Sequence, residues 1–125
     1  ILHPGHIDYL QKARNLGAAL VIGLNSDDSI QKLKGNSRPI NNFKFRSTML
    51  CAFDFVDFVI EFTDETPKNL IHSVKPNILV KGGDYTEDNI VGATFVKSYG
   101  GSVEIIPFLD GYSSSSIISK IRSLT

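Results

Sequence analysis

Short apolar runs recur along the chain and are separated by longer amphipathic segments. Runs of this length, bounded by polar residues, predict β-strands. They lie at residues 18–24 (AALVIGL), 56–62 (VDFVIEF), 78–80 (ILV) and 103–107 (VEIIP), and the apolar pair at residues 1 and 2 indicates the tail of a further strand. The nearly all-apolar run at 18–24 is typical of a strand that is buried on both faces of a parallel sheet.

The intervening segments carry apolar residues at helical spacing. The first predicts a helix that packs on the sheet and ends near Gly17, with an inward face of His6, Tyr9, Leu10, Ala13 and Leu16. Further helices are predicted after Asn41 or Asn42 with a core face of Phe45, Met49, Leu50 and Phe53, after residues 64–67, from about 89 to 99, and after residues 113–116. This alternation predicts an α/β fold, a Rossmann-like parallel sheet of about five strands with helices on both faces.

Composition narrows the class of protein. The 125 residues are enough for one domain, residues 1–125, and because the chain begins at Ile1 without Met we expect its first strand to be truncated. Thirteen basic and thirteen acidic residues cancel and form no basic run, so no nucleic-acid partner is expected. No apolar run is long enough to cross a membrane, so no membrane partner is expected. The single cysteine, Cys51, is expected to be a packed thiol in a reducing, cytoplasmic protein.

The sequence His3-Pro4-Gly5-His6 lies where the first strand would pass into the first helix. Pro4 suits the first turn of a helix, and Gly5 allows a ligand to approach the backbone. Unpaired N–H groups and the helix dipole favour an anion there, and two histidines three residues apart can reach one point. The segment therefore predicts a polyphosphate site. Taken singly, His3 is more simply a loop residue and His6 a core histidine.

Other candidate ligands follow predicted strands or lie in loops. Lys34 and Arg38 belong to the polar stretch 32–39 and are candidate phosphate ligands, whereas Arg46 lies in a helix, either at the surface or in the cleft. Asp27 follows the strand at 18–24, where α/β sheets bind ligands, but it is equally well explained as part of a helix cap. Each remains a candidate until the structure shows where its side chain lies.

Two small-residue segments complete the candidate site. Gly82 and Gly83, followed by Asp84, come at the end of a strand, where glycines permit a close ligand; an ordinary turn explains them equally well. The helix start at Ser113, Ser114 and Ser115 has more hydroxyl groups than one cap needs, which indicates a second anion-binding element. The simpler interpretation is a capped surface helix.

These motifs resemble those of the cytidylyltransferase-like nucleotidyltransferases. That family has a His-x-Gly-His motif after its first strand and an Ile-Ser-Thr-Thr-like motif at its last helix, matched here by residues 3–6 (HPGH) and 112–115 (YSSS). Within the family the chain is similar to the adenylyltransferase domain of ADP-heptose synthases. The likeness extends through GLNSD (23–27), LKGNSRP (33–39), DETP (64–67), VKGGDY (80–85), IVGA (90–93), YGG (99–101) and IPFLDGYSSSSII (106–118).

The resemblance implies that a sugar 1-phosphate attacks the α-phosphorus of ATP, giving an ADP-sugar and pyrophosphate in lipopolysaccharide core synthesis. It implies catalytic roles for His3, His6 and Lys34. It implies nucleotide binding by Gly5, Asp27, Arg38, Arg46, Gly82, Gly83, Asp84, Ser113, Ser114 and Ser115. Mg²⁺ would be bound mainly through ATP phosphates, and no protein residue is assigned as its ligand.

The resemblance also implies partners. A homodimer is expected, as is a sugar kinase, fused or separate, because many relatives carry one. Two alternatives stay open at this point. One is a cytidylyltransferase that acts on glycerol 3-phosphate or another phosphorylated alcohol, since the motifs contact phosphates only. The other is a nucleotide-binding module without catalysis.

Overall fold

The computed structural model describes residues 1–124. Along the chain it contains α1 (Pro4–Arg14), β1 (Val21–Asn25), α2 (Asp27–Lys34), α3 (Phe43–Cys51), β2 (Phe58–Phe62), α4 (Lys68–Val74), β3 (Ile78–Gly82), a 3₁₀ turn (Glu87–Asn89), α5 (Ala93–Ser98), β4 (Ser102–Ile106) and α6 (Ser114–Ser123). The alternation of strand and helix predicted from the sequence is confirmed.

The strands are parallel, as predicted, and form two pairs. β1 pairs with β2, with Val21 opposite Phe58, and β3 pairs with β4, with Ile78 opposite Ser102. Within residues 1–124 there are therefore four strands in two sheets, where about five in one sheet were expected. Leu2, expected in the tail of another strand, is outside any strand and packs against the hydrophobic core.

Helices cover both faces of each pair. On one face, a single core cluster joins the two pairs through α1 and α3, and it contains Leu10, Ala13, Leu20, Leu50 and Ile106. Neighbouring strand residues point the opposite way. Val103 accordingly packs with Ala93 of α5, and a Cβ on Gly23 would lie 2.8 Å from a Leu70 methyl of α4. The predicted placement of helices on both faces of the strands is thus confirmed. α1 contributes Leu10 and Ala13 to the core cluster that joins the two strand pairs.

Several burial predictions are wrong. Val21 and Gly23 are exposed although α4 lies on their side of β1, so that face of the strand is only partly covered, and the Cys51 thiol is exposed rather than packed. Phe45 and Met49 are about half exposed, whereas Leu50 is buried. Arg46 and Leu50, one turn apart, face inward on α3, and Phe53 packs against the core as predicted. No helix in the described part of the chain is long and apolar enough to span a membrane.

Candidate active site

The two histidines of the first motif build the start of α1 with their own side chains. His3 is the N-cap residue, and its Nδ1 accepts a hydrogen bond from the Gly5 N–H at 3.1 Å. The His6 Nδ1 in turn accepts from the His3 N–H at 3.2 Å. This is a reciprocal cap of the kind that Ser and Glu make at other helices, and it fixes both rings. Their centroids lie 4.0 Å apart.

The cap determines what the rings offer to a ligand. Because each Nδ1 accepts a hydrogen bond, each neutral ring carries its proton on Nε2, which is therefore a donor. Burial, followed by the nearby His3 ring and other positive groups, lowers the pKa of His6 to about 4, and burial also lowers the pKa of His3. Both rings are consequently neutral donors at physiological pH, not imidazolium ions.

The expectation of unpaired backbone N–H groups at this helix is wrong. Pro4 has no N–H, Gly5 donates to His3, and His6 donates to the His3 carbonyl oxygen at 2.9 Å. Gly5 leaves room for the His3 ring, since a Cβ there would lie 2.9 Å from the His3 Cε1. The histidine rings use the donors that we had expected an anion to contact.

Unpaired N–H groups occur instead at the start of α6. Ser113 is its N-cap, and its hydroxyl accepts from the Ser116 N–H at 3.0 Å. The N–H groups of Ser114 and Ser115 have no partner within residues 1–124. The Ser114 hydroxyl contacts Ile1, donating to its carbonyl oxygen at 3.0 Å. The second predicted anion element thus has two free backbone donors beside a fixed hydroxyl.

A cavity of about 310 Å³ lies between the start of α1, the end of β1, α2, α6 and the loop 35–42 that joins α2 to α3. Its polar lining consists of His6, Asn25, Lys34, Arg38, Asn41, Arg46 and Ser114, and its apolar lining of Ile1, Leu24, Ile30, Leu33, Pro39, Ile40 and Ile118. Five of the sequence-predicted site residues therefore meet in one space. The volume is at the lower end of the range for small-molecule sites.

The charge in this cavity is positive. No carboxylate lines it, and within residues 1–124 neither Lys34 nor Arg38 has an ion-pair partner. After burial and the His3 ring, Lys34 is among the groups that lower the pKa of His6, so its charge is felt across the cavity. Unpaired cations that face neutral N–H donors favour a polyanionic ligand.

Arg46 lines the cavity and is also tied to the protein. Its Nε donates to the Asn41 carbonyl oxygen at 3.0 Å, one terminal nitrogen to the Asn25 carbonyl oxygen at 2.9 Å, and the other to the Asp27 carboxylate at 2.8 Å. Asp27 itself does not line the cavity. The hydrogen bond from Arg46 is the main cause that lowers the pKa of Asp27.

Comparison with known proteins identifies the family. The family model described as Cytidylyltransferase-like matches residues 1–120. The chain belongs to the cytidylyltransferase-like family. It is 53% identical over 121 residues to "Bifunctional protein HldE" of Geobacter sulfurreducens, covering 97% of this chain and 25% of that protein. It is 52% identical over 122 residues to "Bifunctional protein HldE" of Campylobacter fetus subsp. fetus, covering 98% of this chain and 26% of that protein.

A solved structure agrees with this family. The crystal structure of the lipopolysaccharide core biosynthesis protein from Thermoplasma volcanium GSS1 matches with a TM-score of 0.67 and 28% identity, covering 90% of both chains. This cytidylyltransferase-like chain spans about a quarter of the length of the curated relatives that it matches.

The remaining predicted residues lie outside the cavity of this cytidylyltransferase-like chain. Gly82 ends β3 and Gly83 follows it, where Phe108 packs so closely that a Cβ on Gly83 would lie 2.8 Å from its ring. Asp84 is exposed beside them. Ser113 and Ser115 flank Ser114 without lining the cavity, and His3 adjoins it through His6.

Sequence reasoning missed Tyr112 as a site residue. Its ring stacks on that of His3 at a centroid distance of 6.2 Å and an angle of 18°. The only signal in the sequence was its position directly before the serines. Asn25 and Asn41 were missed as well, because their carbonyl oxygens, which any residue type could supply, are what bind Arg46.

Proposed function

We propose that this chain is a nucleotidyltransferase domain that transfers AMP from ATP to heptose 1-phosphate, releasing pyrophosphate and forming ADP-heptose. The observation that carries the proposal is the positive cavity, where unpaired Lys34 and Arg38 face the neutral donor His6 and the free N–H groups of α6. Two polyanionic substrates must meet in this reaction. A site without carboxylates, with donors on opposite walls, suits that task.

The chemistry requires no protein nucleophile. An oxygen of the sugar phosphate, already anionic, forms a bond to the α-phosphorus of ATP, and the bond between that phosphorus and the bridging oxygen to the β-phosphate breaks. The electron pair leaves with pyrophosphate. The protein must align the reactants and stabilise negative charge on the transferring phosphoryl group.

Each element has a role in this scheme. The Nε2–H groups of His3 and His6 donate to oxygens of the transferring phosphate, and their neutral form makes them donors over the whole physiological pH range. Lys34 and Arg38 neutralise phosphate charge. The N–H groups of Ser114 and Ser115 hold the terminal phosphates at the helix start.

Nucleotide binding extends beyond the cavity in this proposal. Gly82, Gly83 and Asp84 line the nucleoside or sugar pocket, on a surface that Tyr85 and Phe108 border. The cations and N–H donors of the cavity would bind phosphate groups, and Mg²⁺ would then be held mainly through the phosphate oxygens. When bound, the ion supplies charge neutralisation on the phosphates.

The choice of sugar rests on resemblance. The segments VKGGDY (80–85) and GYS (111–113) point to the heptose branch, and the similar Thermoplasma volcanium protein is named for lipopolysaccharide core biosynthesis. The curated relatives are called bifunctional, and this chain matches a quarter of their length. We therefore propose a cytoplasmic, homodimeric enzyme that works with a sugar kinase, fused or separate, that supplies the sugar 1-phosphate.

The test is pyrophosphate release by the full-length protein with Mg²⁺. ATP and CTP are each combined with heptose 1-phosphate and with glycerol 3-phosphate, and His6→Ala serves as the inactive control. Turnover with ATP and heptose 1-phosphate that His6→Ala abolishes, with an unchanged circular dichroism spectrum, is the expected result. Turnover with another pair only would reassign the substrate, and ATP binding without any turnover would refute catalysis.

A further inference from the structure

Arg46 connects three chain segments that meet at the cavity. Its three hydrogen bonds reach the last residue of β1 (Asn25), the first residue of α2 (Asp27) and the loop 35–42 (Asn41), all at 3.0 Å or less. The side chain is only 16% exposed, and its guanidinium lies 5.7 Å from the Phe43 ring centroid. A planar fork with five donors can make such a three-way contact, whereas a lysine could not.

Asp27 is free of any capping duty. The N-cap of α2 is Ser26, whose hydroxyl accepts from the Ser29 N–H at 3.1 Å. The Asp27 carboxylate instead accepts from the Arg46 guanidinium at 2.8 Å. It therefore links the start of α2 to α3, and it does not line the cavity.

The loop that this pair holds carries much of the cavity wall. Arg38, Pro39, Ile40 and Asn41 all line the cavity. Gly35 and Asn42, at the two ends of the loop, are bonded to the neighbouring helices. Between them, the structure gives residues 36–41 two hydrogen bonds: Arg38 donates its N–H to the Gly35 carbonyl oxygen at 3.2 Å, and the Asn41 carbonyl oxygen accepts from Arg46. Among the described residues, the Asn41–Arg46 contact is the hydrogen bond that ties this stretch to a residue outside the loop.

We propose that Asp27 is a positioning residue that acts through Arg46: it orients the guanidinium, which holds the loop 35–42 so that Arg38 faces the cavity. The expected change in the KM for ATP rests on the proposed function. The expected change in the loop 35–42 rests on the contacts alone. Asp27 does not line the cavity. Replacing Asp27 should therefore change the KM for ATP and the loop 35–42 only in a protein that still has Arg46.

A double-mutant cycle on the full-length protein tests this. Asp27→Asn keeps the shape of the side chain and removes its charge, and Arg46→Gln removes the fork. We expect each single substitution to raise the KM for ATP by about tenfold with kcat changed less than about threefold, in the range of coupled charged neighbours. In the Arg46→Gln background, Asp27→Asn should add nothing. Asp28→Asn, an exposed carboxylate on the same turn, is the matched control.

A second measurement is independent of turnover. Amide hydrogen exchange of the ligand-free protein should speed up at residues 36–41 in Asp27→Asn and in Arg46→Gln, with α5 and β4 unchanged. If Arg46→Gln unfolds the protein, Arg46→Lys, which keeps the charge but not the fork, replaces it in both measurements.

The outcomes separate the two proposals. An effect of Asp27→Asn that is equally large with and without Arg46, or unchanged exchange in the loop, would overturn the inference. A wild-type protein that turns over no substrate pair would refute the proposed function, and the exchange measurement would then decide the positioning role alone.

Discussion

Replacing Gly5 by alanine should separate stability from catalysis. Gly5 is a helical residue of α1 with a negative φ, so alanine fits its backbone and gains about 1 kcal/mol of helix propensity. The new Cβ, however, would lie 2.9 Å from the His3 Cε1 and 3.0 Å from its Nδ1. Ordinary contacts begin at 3.4 Å, so the ring must move by at least about half an ångström.

That movement has two opposing consequences. It weakens the hydrogen bond from the Gly5 N–H to the ring, a cap worth about 1 kcal/mol, which offsets the gain in propensity. It also displaces a donor, and since about 1 Å of misplacement can cost on the order of a hundredfold, we expect kcat to fall about tenfold. Melting temperature should therefore change by less than about 4 °C while turnover drops.

The assay combines thermal unfolding with pyrophosphate release, and Gly17→Ala is the control. A Cβ on Gly17 would contact only the Ala19 carbonyl oxygen, at 3.9 Å. Gly17 lies beyond the C-terminal end of α1, at the opposite end from the histidines. Wild-type kcat in Gly5→Ala would refute the claim that the position of His3 matters. A loss of more than about 2 kcal/mol of stability would refute the view that only the ring responds.

Three further predictions concern other parts of the chain. The pKa of His6 falls from 6.5 to about 4 on folding, so between these pH values only the unfolded state takes up the proton. The free energy of unfolding should therefore decrease by about 1.5 kcal/mol as the pH falls from about 6.5 to 4, after allowance for the half-exposed ring. Urea unfolding at pH 4.5 and 7.5 measures this decrease, which should be smaller in His6→Gln. Ser114→Ala should raise the KM for ATP about two- to tenfold, because Ser114 lines the cavity. Ser115 lies outside the cavity, so Ser115→Ala should raise the KM less than twofold in the same steady-state assay. Equal effects would contradict the assignment of only Ser114 to the cavity lining. Val96→Ala, at a fully buried position of α5, should cost about 2 kcal/mol in denaturant unfolding yet leave kcat at 25 °C unchanged.

The sequence predicted the fold and the site correctly where a residue pattern has one common structural explanation. The alternation of apolar runs and amphipathic segments predicted the parallel α/β class, and two residues chosen from the sequence, His6 and Lys34, line the cavity. The predicted core face of α3 was only partly right, because Phe45 and Met49 are as apolar as Leu50 and yet are about half exposed. The inward position of Arg46 was not predicted, because two of its three acceptors are backbone oxygens that no sequence pattern marks.

The histidine cap was unpredictable for a related reason. Histidine is not a usual capping residue, so His3 and His6 suggested ligands for an anion rather than acceptors for backbone N–H groups. The structure shows that each ring uses Nδ1 for the helix and leaves Nε2 for other partners. A residue type with two different nitrogens can serve the fold and the site together, and sequence alone does not show that it does.

α1 couples the hydrophobic core to the histidine motif at its start. Ala13, near the end of the helix, packs in the core, and the N-cap residue His3 lies ten residues, or about 15 Å along the helix axis, away from it. A tilt of the helix axis by only about 4° about Ala13 would move the His3 ring by about 1 Å. We therefore expect repacking beneath Ala13 to change the rate of a reaction at the opposite end of the helix.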